Sequence, residues 1–336
     1  MKNKSYDITV FIPTWFGINY IEELLNSVLK QKINQSFEVL IYDTSSTDGT
    51  LEVIKKFAKI NKNIRWKSIS KDEFGHGKTR QEAAQDAYGE VVVYLSQDAL
   101  PAHDMWLYEM IQPFKLNKNI VAVMGKQDPR PNAFPLLKYE IQDVFSSFGP
   151  DLGTTLFFSD YFIKNKGQYD FISFYSDVNS AARKNTLLDI PYRDVNYAED
   201  QLLGRDVIDA GLMKAYAARG TVVHSNEIRL NEYAARMFDE TLGMRQVGIN
   251  VEKPTIVTCL KMITRGVVRD TLRIVIDRDY SVSRKIYWLF VNPLFHLEKW
   301  RGVRRGADTK IDGHSETLNK YSLEHRRQKK FESRQA

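Results

Sequence analysis

The chain has 336 residues, 43% of them hydrophobic and 27% charged, enough for one large domain or two smaller ones. With 18 Gly and 10 Pro, neither collagen nor wholesale disorder is expected, and the lone Cys259 excludes a disulfide framework and any cysteine-based zinc site. The net charge of +6 is uneven: residues 251–336 carry 19 Lys+Arg against 10 Asp+Glu (+9), leaving 29 against 32 (−3) for residues 1–250. That asymmetry argues against a uniformly basic nucleic-acid binder, and no nucleic-acid partner is expected. A single thiol suits a reducing, cytoplasmic setting, and the opening MKNKSYDITVF lacks the apolar run and cleavage site of a signal peptide.

The first 125 residues read as alternating strands and helices. ITVFIP (8–13) is an apolar, β-branched run closed by Pro13. Ile21, Leu24, Leu25, Val28 and Leu29 recur at helical spacing within 18–30. FEVLIYD (37–43) is a second strand, and Ser46, Thr47 and Asp48 offer N-caps to a helix over 50–60. IRWKSI (64–69) is a third strand, 79–87 a helix, EVVVYLS (90–96) a buried strand and NIVAVMGK (119–126) another. Strands alternating with helices predict a parallel sheet covered on both faces, with ligands at the carboxyl ends of its strands. Residues 134–175 hold twelve Phe or Tyr in 42 positions, against 12% overall, which suits either the core of a helical subdomain or an acceptor platform for sugar rings or lipid. An amphipathic helix is expected over 226–247, with Leu230, Tyr233, Ala234, Met237, Phe238, Leu242 and Met244 near one face. Farther on, IYWLFVNPLF (286–295) falls far short of the ~20 residues that span a bilayer. It is broken at Asn292-Pro293 and flanked by Arg284, Lys285, Lys299, Arg301, Arg304 and Arg305. The last ~20 residues are polar and expected to fray.

The residues that follow the strands carry the candidate chemistry. PTWFG (13–17) is not the Gly-rich loop of a dinucleotide site. Asp43 heads TSSTDGT (44–50); a carboxylate there can accept the imide N–H of uracil or thymine, although the string also makes a turn and helix cap. Asp98, in SQDALP (96–101), can ligate a divalent cation bridging a diphosphate, or cap the turn. GHGKTR (75–80) sets Lys78 and Arg80 at a helix start, fit for an anion, a polar base edge or a solvated turn. Glu199 and Asp200 open a helix in YAEDQLLGRDVIDAG (197–211). Adjacent helical residues point in different directions, so one can be a general base and the other a structural partner, or Asp200 an N-cap. His224, ending the strand of TVVHSN (221–226), becomes a candidate metal ligand only if Asp98 lies close by.

Taken in chain order, IPT (12–14), DTSSTDGT (43–50), GHGKTR, SQDALP, NSAARK (179–184), AEDQLLGRD (198–206) and VVHSN (222–226) resemble the family 2 glycosyltransferases of the GT-A fold. The likeness covers about residues 6–226. LSQDALP, FGHGKTR and RMFDETLG (236–243) look most like bacterial rhamnosyltransferases of polysaccharide and O-antigen assembly. The resemblance implies an α/β, Rossmann-like, mostly parallel sheet flanked by helices: a catalytic domain over 1–226, with the aromatic-rich acceptor subregion at about 128–178. A basic, mainly helical extension over 227–336 follows. It implies that Pro13, Thr14, Asp43, Lys78, Arg80, Gln97 and Asp98 bind the donor nucleotide and that Asp98 and His224 hold Mg²⁺ or Mn²⁺. Asp200 would be the catalytic base, Glu199 would position the acceptor or the base, and Asn179, Ser180 and Arg183 would line the acceptor side or the diphosphate. The usual pair of aspartates is here Ser96-Gln97-Asp98, so metal binding rests on fewer protein charges. The QxxRW string of processive synthases is missing.

The expected reaction is inverting transfer of a sugar, L-rhamnose from dTDP-L-rhamnose, to a saccharide or lipid-linked saccharide in cell-surface polysaccharide synthesis. Two other classes compete. A sugar-nucleotide nucleotidyltransferase would need a Gly-rich phosphate loop after the first strand. A non-catalytic membrane-surface protein explains the basic tail but not the ordered acidic and His positions. The tail suits peripheral contact with the inner face of the cell membrane through 280–305, or packing on the body or on a second copy.

Overall fold

The structure, a computed structural model, describes residues 6–159, 165–195, 197–225, 228–311 and 315–327. Its elements run β1 (Tyr6–Thr14), α1 (Ile21–Leu29), β2 (Phe37–Asp43), α2 (Thr50–Ile60), β3 (Ile64–Ser68), α3 (His76–Asp86), β4 (Gly89–Leu95), β5 (Leu100–Pro101), α4 (Trp106–Ile111) and β6 (Ile120–Asp128). There follow α5 (Pro135–Ser147), β7 (Thr154–Phe157), α6 (Lys166–Ser173), β8 (Asn179–Arg183), α7 (Lys184–Asp189), α8 (Glu199–Asp209), β9 (Met213–Val223), α9 (Leu230–Gln246), α10 (Ile256–Ile276), α11 (Val282–Asp308) and α12 (Ser315–Tyr321). By contacts the chain separates into two compact units, 1–128 with 141–225, and 129–140 with 226–336.

In the first unit one sheet has the order β3-β2-β1-β4-β8-β6-β9-β5, with β7 also on β9. Strands β1 to β4 pair in parallel, as the alternation of strands and helices predicts. The next strand in sequence does not extend that set. Antiparallel β8 is inserted between β4 and β6, and β6 then pairs in parallel with β9. Six strands (β1, β2, β3, β4, β6 and β9) therefore share one direction. The β-branched runs alternate between two cores, as the period of a strand requires. Ile8, Val10, Ile12, Val91, Val93 and Leu95 face α1 and α4, whereas Phe11, Val92 and Tyr94 face α3, α7 and α8.

In the second unit Phe134, Leu136 and Tyr139 pack with Tyr233, Met237, Ile274, Trp288 and Phe295. The aromatic-rich stretch is thus divided: its first residues build this core, while Phe145, Phe148, Phe157 and Tyr175 belong to the sheet unit. Lys138 is buried and its Nζ meets Asp277 at 2.7 Å and Asp279 at 2.8 Å. The break expected at Asn292-Pro293 does not occur, because α11 continues through Pro293. A proline inside a helix costs about 3 kcal/mol, and here packing offsets it. Trp288 and Phe295 are buried on one side. Asn292 accepts from Leu136 N at 2.9 Å and donates to Asp270, which His296 also meets at 2.8 Å.

Candidate functional site

The carboxyl ends of β1, β2, β4 and β9 lie at one edge of the sheet, and most of the candidate residues gather there. Pro13 and Thr14 end β1 in register with Tyr42 and Asp43 at the end of β2. Thr14 Oγ1 donates to Asp43 Oδ1 at 2.9 Å, and Ser46 N donates to Asp43 Oδ2 at 2.9 Å, so the buried carboxylate is held in one orientation. The chain then turns sharply, with Phe16 and Ser45 both at positive φ. Gln97 secures the turn by two hydrogen bonds to the backbone of Trp15: Trp15 N donates to Oε1 and Nε2 donates to Trp15 O, both at 2.9 Å. Gln97 thus holds the turn that follows β1. A Cβ on Gly17 would stand 2.4 Å from Gln97 Oε1 and would displace that amide from Trp15.

The condition on His224 is met. Short β5 pairs with the end of β9, Leu100 opposite Val223, and this register carries Asp98 and His224 to each other. Asp98 Oδ2 lies 3.4 Å from His224 Nε2. His224 is buried, and its Nδ1 has no hydrogen-bond partner among the described residues. Among those residues no cluster of three or more His, Cys, Asp or Glu could hold a metal. Asn226, the last residue of the VVHSN string, lies outside the described residues.

A second, acidic group forms where β8 begins. Leu95 is opposite Asn179, so the residues before β8 stand at the same edge as Asp98. Helix α8 opens there after Ala198, held in the left-handed conformation at φ 57°, a strain that costs ~1–3 kcal/mol in general. Asp200, partly exposed, accepts from Asp177 N at 3.2 Å. Burial, together with the neighbouring Glu199 and Asp177 carboxylates, pushes the Asp200 carboxyl well above the usual range. Glu199 Oε1 accepts a 2.7 Å ion pair from Arg80 Nη1, and Arg80 Nε lies 3.0 Å from Asp177 Oδ2. Burial alone would lower the proton affinity of that guanidinium, but Glu199 and Asp177 more than compensate and raise it.

Several expectations need correction. Helix α3 starts at His76 rather than 79, with Gly75 as its N-cap, so Lys78 and Arg80 lie inside the helix. The helix is pressed on the segment before α8: a Cβ on Gly77 would stand 1.9 Å from Arg193 O. This close approach brings Arg80 to Glu199, and its guanidinium is committed to carboxylates instead of to a nucleotide base. Lys78 remains exposed on α3. Asn179 is fully buried and structural. It accepts from Trp106 Nε1 at 3.0 Å and donates to Lys126 O at 3.1 Å and Gly220 O at 2.7 Å. Arg183 lies at the opposite end of β8, in register with Val91, and donates to Ile120 O and Phe114 O. Antiparallel β8 carries it to the opposite edge of the sheet from Asp43 and Asp98. Ser180 is buried and donates to Asp177 Oδ1 at 2.6 Å. Asp177 itself was not singled out from the sequence; the only signal was a carboxylate two residues before NSAARK.

Comparison with known proteins agrees with this architecture. The family model for glycosyl transferase family 2 matches residues 9–189. An O-antigen chain rhamnosyltransferase of Salmonella anatum is 33% identical over 236 residues, 69% of this chain and 70% of that protein. A second, from Salmonella typhimurium, is 27% identical over 240 residues with the same coverage. Among solved structures, a mannosyltransferase from Pyrobaculum calidifontis in complex with GDP-Man and Mn²⁺ superposes with a TM-score of 0.55 at 15% identity, covering 90% of this chain and 85% of that one. The S. aureus TarS 1–349 complex with UDP-GlcNAc gives 0.50 at 16% identity, covering 90% of each chain. These structures share the GT-A fold with this sheet unit and its flanking helices. On the extent of the family match and of the first relative's likeness, the chain belongs to glycosyl transferase family 2 and is a glycosyltransferase.

Proposed function

We propose that the protein transfers L-rhamnose from dTDP-L-rhamnose, with inversion, to a saccharide or lipid-linked saccharide during cell-surface polysaccharide synthesis. The observation that carries the reading is the meeting, at one sheet edge, of a nucleotide end (Thr14, Asp43), the Asp98–His224 pair and a carboxylate of raised proton affinity, Asp200. The rhamnosyl donor is supported by the two O-antigen rhamnosyltransferases to which the chain is similar.

In this reading the acceptor hydroxyl oxygen bonds to the anomeric carbon as the bond from that carbon to the diphosphate breaks. The hydroxyl proton passes to Asp200, and the electron pair leaves with the nucleoside diphosphate. Glu199, fixed by Arg80, orients the helix start that presents Asp200. Asp98 and His224 would hold Mg²⁺ or Mn²⁺ through a carboxylate oxygen and an imidazole nitrogen, donors that suit such a cation beside a diphosphate. When bound, that cation offsets charge developing on the leaving group. The test is product identity. Given dTDP-, UDP- and GDP-sugars in turn, the protein should release a nucleoside diphosphate, fastest from dTDP-L-rhamnose. Release of pyrophosphate would indicate nucleotidyl transfer and overturn the reading.

The reading includes a cytoplasmic protein held at the inner face of the membrane through residues 280–305. No described helix is long and apolar enough to cross a membrane. On α11, however, Val282, Ile286, Phe290, Leu294 and Leu297 are exposed along one stripe, Phe290 at 76%. Arg284, Lys285 and Arg301 accompany them, a pattern suited to an anionic lipid surface. Replacing Ile286 and Phe290 together by Ser should weaken co-sedimentation with phosphatidylglycerol vesicles ~10-fold. Unchanged sedimentation, or a dimer dissociated by the same substitutions without vesicle binding by the parent protein, would refute it.

A further inference from the structure

The mechanism above uses Asp200, Glu199 and Arg80 and gives Asp177 no role. Asp177 is 2% exposed, in the segment leading into β8. Its Oδ1 accepts from Ser180 Oγ at 2.6 Å and from Tyr192 OH at 3.0 Å, its Oδ2 meets Arg80 Nε at 3.0 Å, and its N–H donates to Asp200 Oδ2. A turn needing only hydrogen bonds could be held by a neutral side chain, and a buried charge is costly unless it is compensated. Here it is compensated only in part. Asp177, Glu199 and Asp200 surround the single guanidinium of Arg80, a formal excess of two negative charges when all three are ionised. Such an excess draws a proton onto the group.

We propose that Asp177 is a positioning residue that sets the proton affinity of Asp200, by occupying Arg80 jointly with Glu199 and by adding its own charge beside the base. The inference rests on the reading of Asp200 as base. Burial and the carboxylates of Glu199 and Asp177 favour protonation of Asp200, whereas Arg80, the Asp177 N–H and the Gln201 N–H, 2.7 Å from Oδ1, oppose it. The amino end of α8 also opposes it. Around them, His76 Nδ1 stands 4.0 Å from Glu199 Oε1, and the buried hydroxyl of Tyr94 donates to Arg80 O. A base must take a proton in the transition state and keep it, and affinity near the working pH serves both needs.

The test is the acid limb of the pH profile of kcat/KM, measured as dTDP release from dTDP-L-rhamnose with water standing in for the acceptor. In Asp177→Asn a negative neighbour is lost and Arg80 is freed toward the remaining carboxylates, so the limb should move to lower pH by ~1 unit. In Arg80→Lys the shorter, compact ammonium cannot engage both carboxylates, so the limb should move the opposite way. A merely structural Asp177 would lower the rate or the melting temperature and leave the limb in place; that outcome, or shifts of the same sign in both variants, overturns the proposal. If Asp177→Asn does not fold, the direction of the limb in Arg80→Lys decides. Asp200→Asn separates the two readings: near-normal turnover there removes the base itself, whereas a dead Asp200→Asn with an unmoved limb in Asp177→Asn and Arg80→Lys removes only the role of Asp177.

Discussion

Replacing Asp200 by Asn is expected to leave the donor bound and to lower transfer ~10²–10⁴-fold, the range typical for removal of a general base. The amide has nearly the same shape and can still accept from Asp177 N, so the opening of α8 has little reason to move. What is lost is the ability to take a proton. Asp200 is suited to that task because it is half-buried: an acceptor can reach it, while burial and its neighbours Glu199 and Asp177 raise its proton affinity. Donor binding by calorimetry and turnover by nucleoside diphosphate release, on the same sample, separate the two effects. Near-normal turnover would mean that another group takes the proton; lost donor binding would mean that Asp200 serves the donor.

The second large effect is expected at Asp98. Asp98→Ala removes the only carboxylate of the pair with His224, and Ser96 supplies no charge in its place. A ligand substitution in a site with so few protein ligands should reduce Mn²⁺-dependent affinity for dTDP-L-rhamnose by ~100-fold. Affinity without metal should change little, because Thr14 and Asp43 hold their geometry through Ser46 and the turn that Gln97 secures. Titration of donor with and without Mn²⁺ measures the difference. The same metal dependence in the variant and the parent would exclude Asp98 from cation binding.

The fold and the sheet edge at which Thr14, Asp43 and Asp98 gather were legible because they depend on local patterns. β-branched runs of strand period, each followed by a helix, specify β1 to β4, and Thr14, Asp43 and Asp98 follow from being at their ends. Placement across the sheet was not legible. Whether NSAARK runs with or against its neighbours depends on the long connection before it. That one direction decides that Asn179 stands at the edge of Asp98 and Arg183 at the far one. The resemblance supplied the residue types but not their partners: Arg80 belongs to a carboxylate cluster because Gly77 lets α3 approach Arg193, a contact between segments more than a hundred residues apart. Asp177 was missed for the same reason, since a buried charge is recognised by its surroundings. In α11 the proline was read as a break, which holds for a helix on its own and fails where buried Trp288, Asn292 and Phe295 hold both sides of it.

The central claim is a single displacement in which Asp200 deprotonates the attacking group while the diphosphate leaves. The measurement that tests it most directly is the anomeric configuration of the first sugar product, followed by NMR at times shorter than mutarotation, with dTDP-L-rhamnose as donor and water as acceptor. The configuration opposite to the donor's is expected, because attack and departure take place on opposite faces of one carbon. A product that keeps the donor's configuration would contradict the claim, since retention requires a second displacement or departure and attack on the same face.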